Sequence, residues 1–247
     1  MNLPKRIKPV FKCPTEYKSN FSNSHALLTI SVGQEVHEGE KFEATIELIN
    51  NTFNHITILV DDVLQRHSMG LISDESPEWL YQHSLNEGDL WLERNKPVYT
   101  QLTTPYTIIR WEKWLHHEKY ESTYSKIKSA YLNDPAFRAH LDQTASTFLD
   151  RFTRRQPKLS KDSAAAFNAC LDYLFEECAA LCLWIEGGYH FEVYPSQRNE
   201  AMSITHQMFV APNFPEFLWP VAIKFKNRKQ LSAQKFSNTD RQVSNVT

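Results

Sequence analysis

Short apolar runs alternate along the chain with longer amphipathic stretches. His25-Ala-Leu-Leu-Thr-Ile30 is apolar throughout and short, the signature of a buried strand. From Glu40 to Phe53, Phe42, Ile46 and Ile49 recur on one helical face. His55-Ile-Thr-Ile-Leu-Val60 is a second buried strand, ending at Asp61-Asp62. Pro77 to about Asn95 predicts a polar helix, and Tyr106 to Ile109 a third strand. Positions 123–133 and 135–153 read as helical, and a long helix follows from about Asp162 to Ile185. Tyr189 to Tyr194 is a fourth strand, Gln197 to Met208 a helix and Leu218 to Phe225 a last strand. Strands separated by helices predict an α/β fold with a doubly wound, mostly parallel sheet. In such sheets ligands bind at the carboxyl ends of the strands. One catalytic domain over residues 1–247 is expected, with loosely held polar ends at 1–24 and about 226–247.

Composition narrows the chemistry. The chain has only 6 glycines in 247 residues, and neither G-x-G-x-x-G nor G-x-x-x-x-G-K-[ST] can be assembled from them. A formal net charge of -2 argues against coating nucleic acid by bulk charge. No apolar run approaches the roughly 18 residues a membrane helix needs, and the basic start lacks the apolar stretch of a signal peptide. A cytoplasmic protein without a membrane partner is expected. The 4 cysteines give no disulfide framework, since Cys170, Cys178 and Cys182 share one helical segment. Cys178 and Cys182 lack a His or acid to complete a metal set, so no metal is expected there. Asp61-Asp62 could hold a metal, but strand-end acids often cap the following helix.

Three constellations could carry chemistry. Ser31-Val-Gly33-Gln34 follows the first strand, at the edge where substrates bind. Alone, Ser and Gly there describe an ordinary turn, in which Gly33 supplies the sharp backbone direction. Tyr173 and Glu177 lie one turn apart on the long helix, at the flank of the stripe Phe167, Leu171, Leu174, Cys178, Leu181 and Ile185. A carboxylate so placed either reaches water, as the neighbouring Glu176 is expected to do, or waits for a ligand ammonium. Tyr194-Pro195 closes the fourth strand, as core or as a phenol facing the Ser31 turn.

Together, Ser31-x-Gly33, Tyr173-x-x-x-Glu177 and Tyr194-Pro195 resemble the tRNA-dependent cyclodipeptide synthases. The flanking HALLTISVG, HITILVDD and NACLDYLFEECAAL look like the family as well, and the similarity spans roughly residues 25 to 225. Gln34 and Tyr194-Pro195 resemble the subfamily with a variable residue after the serine and Tyr-Pro at the later strand. The resemblance implies a Rossmann-like fold similar to the class I aminoacyl-tRNA synthetase catalytic domain. It implies a monomeric aminoacyltransferase joining the amino acids of two aminoacyl-tRNAs into a cyclic dipeptide, with no ATP and no metal. Ser31 would carry the aminoacyl group, Tyr173 and Glu177 would hold its α-amino group, and Tyr194 would move a proton. A serine-dependent aminoacyl-tRNA deacylase and a non-catalytic tRNA-binding module are the rival readings.

The resemblance also places a substrate pocket at Leu27, Thr29, Gly33, Gln34, Glu192 and Pro195. Some relatives have glycine where Thr29 stands, so a narrower pocket and a small first side chain are expected. Glu192 stands where an apolar residue is common, which implies polar selection. Some relatives also carry a dense arginine run on the helix after the second strand. The matching stretch here holds only Arg94 and Lys96. The tRNA surface is therefore sought at Arg151, Arg154, Arg155, Lys158 and Lys161, or at Lys224, Lys226, Arg228 and Lys229.

Overall fold

A computed structural model describes residues 7–156 and 158–227. Six strands build one sheet: β1 (Ile7–Lys12), β2 (His25–Ser31), β3 (His55–Asp61), β4 (Tyr106–Arg110), β5 (Phe191–Tyr194) and β6 (Trp219–Asn227). The helices are α1 (Thr15–Lys18), α2 (Gly39–Ile49), α3 (Arg66–Met69), α4 (Pro77–Tyr99), α5 (Glu112–Leu115), α6 (Tyr120–Asn133), α7 (Pro135–Arg155), α8 (Ser163–Leu183) and α9 (Glu200–Thr205). The strands lie in the order β1-β6-β5-β2-β3-β4. All pairs are parallel except β1 with β6. The chain moves outward from β2 through β3 to β4, then returns to the other side of β2 for β5 and β6. The winding direction therefore reverses between β2 and β5, and in such sheets the ligand crevice forms beyond the carboxyl ends of the strands at that point.

Strand alternation assigns each side chain to a layer. Leu27 and Leu59 join an apolar cluster with Leu171, Leu174 and Cys178 of α8. Ala26, Leu28, Ile30, Ile58 and Val60 face the opposite layer, with Phe42 and Ile46 of α2 and Trp91 of α4. The face carrying Leu27 also carries Thr29 and Ser31 on β2, Asp61 on β3, and Glu192 and Tyr194 on β5. Most of the candidate chemistry thus lies on the α8 side of the sheet.

The helix starts follow local chemistry. Ser76, Asp134, Asp162 and Asn199 cap α4, α7, α8 and α9 by accepting from backbone N–H groups of the first turn. Pro77 and Pro135 occupy first-turn positions that need no N–H. Gly88 lets α4 lie against β4, since a Cβ there would collide with the Asp62 carboxylate and the Arg110 guanidinium.

Two expectations are corrected here. The amino-terminal stretch contributes an edge strand from Ile7 and the buried ring of Phe21. Its pattern was obscured by lysines and Pro9, both of which an edge strand tolerates. The helix placed at 197–208 is shorter, Glu200–Thr205, and widens into a π-turn over His206–Val210. The carboxyl-terminal tail expected from about 226 lies, beyond Asn227, outside the described residues.

Candidate active site

Ser31 is the last residue of β2, and the turn after it reverses sharply. Gln34 N–H donates to the Ser31 carbonyl at 3.2 Å, and Gly33 has φ +83°. Nothing lies within 4 Å of a Cβ built on Gly33. The glycine is required for its backbone angle rather than for space. From β5, across the switch point, the Tyr194 hydroxyl comes within 3.2 Å of Ser31 Oγ. Burial and the acids Asp61, Glu177 and Glu192 push the Tyr194 phenol up to about 12. It therefore stays protonated at neutral pH, so one hydroxyl can donate to the other.

The α8 helix covers this edge. Tyr173 and Glu177 are half-buried on the face turned to the sheet. Burial and the charges of Glu177 and Asp61 hold the Tyr173 hydroxyl protonated. Its ring stacks on Phe148 of α7, centroids 5.6 Å apart. Glu177 is enclosed by protein on most sides, and its Oε2 accepts from Asn199 Nδ2 at 3.0 Å. Burial pushes its carboxyl up to about 7, against the hydrogen bond from Asn199. No lysine or arginine forms an ion pair with it among the described residues.

Glu176 does not reach water. It is 3% exposed and forms a two-pronged ion pair with Arg66. Trp111 Nε1 donates to its Oε1 at 2.8 Å, and His67 Nε2 lies 3.3 Å from Oε2. Burial alone would raise its carboxyl, but these bonds and the Arg66 charge hold it at about 2. Successive helical residues point about 100° apart. The pair Glu176-Glu177 therefore divides, one acid locking α8 to the segment after β3 and the other facing the crevice.

The acids ending β3 divide in the same way. Asp62 accepts from Val63 N–H at 2.7 Å and from Arg110 Nε at 2.5 Å, as a strand-end cap should. Asp61 caps nothing with its carboxylate. It is 6% exposed, its Oδ1 has no hydrogen-bond partner among the described residues, and burial beside Glu177 holds its carboxyl well above the usual range.

The expected pocket residues are partly gathered here. Thr29 is buried two residues before Ser31 on the same face, Pro195 is buried after Tyr194, and Gly33 and Gln34 are exposed on the turn. Leu27 lies deeper, fully buried in the apolar cluster. Glu192 is not free for polar selection, because Arg198 grips its Oε2 and also donates to the Leu218 carbonyl at 2.6 Å. Most of the described basic candidates are exposed. Arg94 is held by Glu38 at 2.7 Å, while Lys96, Arg151, Arg154, Arg155 and Lys158 are exposed. Lys161 and Lys226 are half-buried, Lys224 is exposed on β6, and Arg228 and Lys229 lie outside the described residues. The described residues contain no group of three or more acids, histidines and cysteines placed to hold a metal, and no helix long and apolar enough to cross a membrane.

Comparison with solved structures decides the family. A cyclodipeptide synthase from Fluoribacter dumoffii superposes with a TM-score of 0.86 at 43% identity, over 89% of this chain and 98% of that one. The chain belongs to the cyclodipeptide synthases. More distant members of the cyclodipeptide synthases share the fold. One from Candidatus Glomeribacter gigasporarum, solved bound to Phe-tRNAPhe, gives a TM-score of 0.68 at 17% identity over 80% of this chain and 86% of its own. The Mycobacterium tuberculosis member gives 0.61 at 12% identity over 92% and 95%, and its structure has been described as relating cyclodipeptide synthetases to type I tRNA synthetases. No family model matches the sequence, and no curated protein does.

Pattern reading missed Asp61, Gln65, Asn199, Arg66 and Arg198. Asp61 carried the one usable signal: an acid at the carboxyl end of a strand parallel to the Ser31 strand.

Proposed function

We propose that this synthase makes cyclic dipeptides from two aminoacyl-tRNAs by a ping-pong route through acyl-Ser31, as a member of the Tyr-Pro subfamily. The observation that carries the reading is the meeting of Ser31 and Tyr194 hydroxyls at 3.2 Å at the sheet's switch point, under Tyr173 and Glu177 of α8. Aminoacyl-tRNA is an activated ester, so exchange onto a serine is close to isoenergetic and needs orientation and proton transfer rather than ATP or a metal. Ser31 Oγ bonds to the aminoacyl carbonyl carbon, the ester bond to the tRNA ribose breaks, and the serine proton passes by way of Tyr194 to the ribose oxygen. A neutral phenol can serve as both donor and acceptor in that relay.

Tyr173 and Glu177 hold the α-ammonium of the bound residue. With its carboxyl raised to about 7 by burial, Glu177 is poised to take one ammonium proton at physiological pH. The freed amine bonds to the carbonyl carbon of the second aminoacyl-tRNA, the ester bond to its ribose breaks, and the second tRNA leaves with the amine proton on its ribose oxygen, giving a dipeptidyl-Ser31. The new terminal amine then attacks the Ser31 ester, closes the six-membered ring and returns the hydroxyl proton to Ser31. Such a monomer would work in the cytoplasm, where charged tRNA is made.

The tRNA surface is assigned to Arg151, Arg154, Arg155 and Lys158. These four are exposed together at the end of α7 and just beyond it. Its phosphate contacts would weaken as salt rises.

Incubation with charged tRNAs and mass spectrometry of the products tests the reading. A cyclic dipeptide from the wild type and none from Ser31→Ala is expected. Free amino acid as the sole product identifies a deacylase instead, and no turnover a binding module. A covalent adduct that survives Ser31→Ala overturns the nucleophile assignment.

A further inference from the structure

Asp61 closes β3 directly beside Ser31, its register partner on β2. Strand alternation sends its side chain to the face covered by α8. Its Oδ1 is buried without a partner among the described residues, although three arginines lie in the same part of the fold. Each arginine is engaged elsewhere: Arg110 by Asp62 and Asp89, Arg66 by Glu176, and Arg198 by Glu192. The charged groups that act on Asp61 are Glu177, Asp62 and Glu192, all acidic. A buried carboxylate left without a donor costs stability. Retained at a crevice, it marks a place where a ligand supplies the missing donor.

The surroundings specify that donor. Tyr173 and Glu177 stand one turn apart on α8, which covers the sheet face that carries Asp61, and the charges of both acids act on Tyr173. Gln65 lies beside them, donating to the Asp61 carbonyl at 3.3 Å. An ammonium has three N–H donors, and Glu177, the Tyr173 oxygen and Asp61 Oδ1 supply three acceptors.

We propose that Asp61 is a further substrate-binding residue, accepting a hydrogen bond from the substrate α-ammonium opposite Glu177. The assignment rests on Ser31 being the acylated residue. It makes the crevice favour α-amino esters, because an ester without the amine forgoes the hydrogen bond that Asp61 accepts.

Single-turnover loading of Ser31, read as the intact mass of the full-length chain, tests this. The probes are the aminoacyl-tRNA that loads fastest on the wild type and the 2-hydroxyacyl-tRNA obtained from it by nitrous acid deamination. Asp61→Asn should slow loading by the aminoacyl-tRNA roughly 10- to 100-fold, the worth of a hydrogen bond to a charged group. It should leave loading by the hydroxyacyl-tRNA within about twofold, and the variant should melt no lower than the wild type because it lacks the unpaired acid. Equal slowing with both probes makes Asp61 structural and overturns the proposal. Undiminished loading by the aminoacyl-tRNA, with a normal adduct on the wild type, overturns the proposal alone. No adduct on the wild type overturns the Ser31 reading and the proposal together.

Discussion

Glu176 should be worth more to this enzyme's stability than any exposed ion pair, and the size of the effect comes from its surroundings. Its carboxyl falls from an ordinary 4.5 to about 2 under the hydrogen bonds and charge of His67 and Arg66, despite a burial penalty in the opposite direction. At 1.36 kcal/mol per unit, the shift corresponds to roughly 3 kcal/mol of native-state stabilisation at pH 7. The folded value lies below the unfolded one, so this stability is complete above pH 4.5 and is lost as pH falls toward 2. Linkage leaves about 2 kcal/mol at pH 3.5. Glu176→Gln keeps the shape and removes the charge, leaving Arg66 with 22% of its side chain exposed to water. The loss should therefore sit at the lower end of the ~3–5 kcal/mol seen when one partner of a buried pair is removed. For a chain of this size it lowers the melting temperature by about 6–12 °C at pH 7. Circular dichroism melts of wild type and variant at pH 7 and pH 3.5 measure it. The gap between them should shrink by about 40% at the lower pH. A gap below about 2 °C at pH 7, or one unchanged between the two pH values, refutes the assignment.

Two further predictions concern the crevice. Tyr194→Phe removes the hydroxyl 3.2 Å from Ser31 and should cut cyclic dipeptide formation on the order of 100-fold; product formation at the wild-type rate would eliminate the relay. With Glu177 pushed up to about 7, loading of Ser31 should rise about tenfold per pH unit below that value and level off above it, and Glu177→Gln should abolish the rising limb. A limb that persists in the variant assigns the titration to another group. Because the folded value is raised, the folded state holds the extra proton, so stability should fall as pH rises from about 4.5 toward 7, and the Gln variant should lack that slope.

The sheet was legible because β2, β3 and β4 are short apolar runs bounded by polar segments, a pattern helices cannot share at that length. Ser31, Tyr173, Glu177 and Tyr194 were legible by the family pattern. Their meeting was legible from topology, since strand ends at a switch point converge. β1 was not, because Lys8, Pro9 and Lys12 break the apolar run. An edge strand paired only with β6 needs no such run. The pairing of Glu192 with Arg198 was hidden for a different reason. The sequence shows an acid at a pocket position but not which cation the loop after β5 folds back to deliver.

That hidden information is also what makes the crevice acidic. Two acid pairs are adjacent in sequence, Asp61-Asp62 and Glu176-Glu177, and in each the members diverge by the geometry of their element. Alternation on the strand and the helical turn send one acid of each pair to an arginine, Asp62 to Arg110 and Glu176 to Arg66. These arginines come from β4 and α3, so no local pattern predicts which acid they neutralise. The acids they pass over, Asp61 and Glu177, are left beside Ser31, held high by burial. The paired acids fix β3 and α8 in register, and that rigidity keeps the unpaired two buried against their own cost of desolvation. On the proposed reading, a substrate cation between them would relieve this cost as it is oriented for acyl transfer. The same ion pairs that stabilise the fold thus leave Asp61 and Glu177 without an arginine of their own.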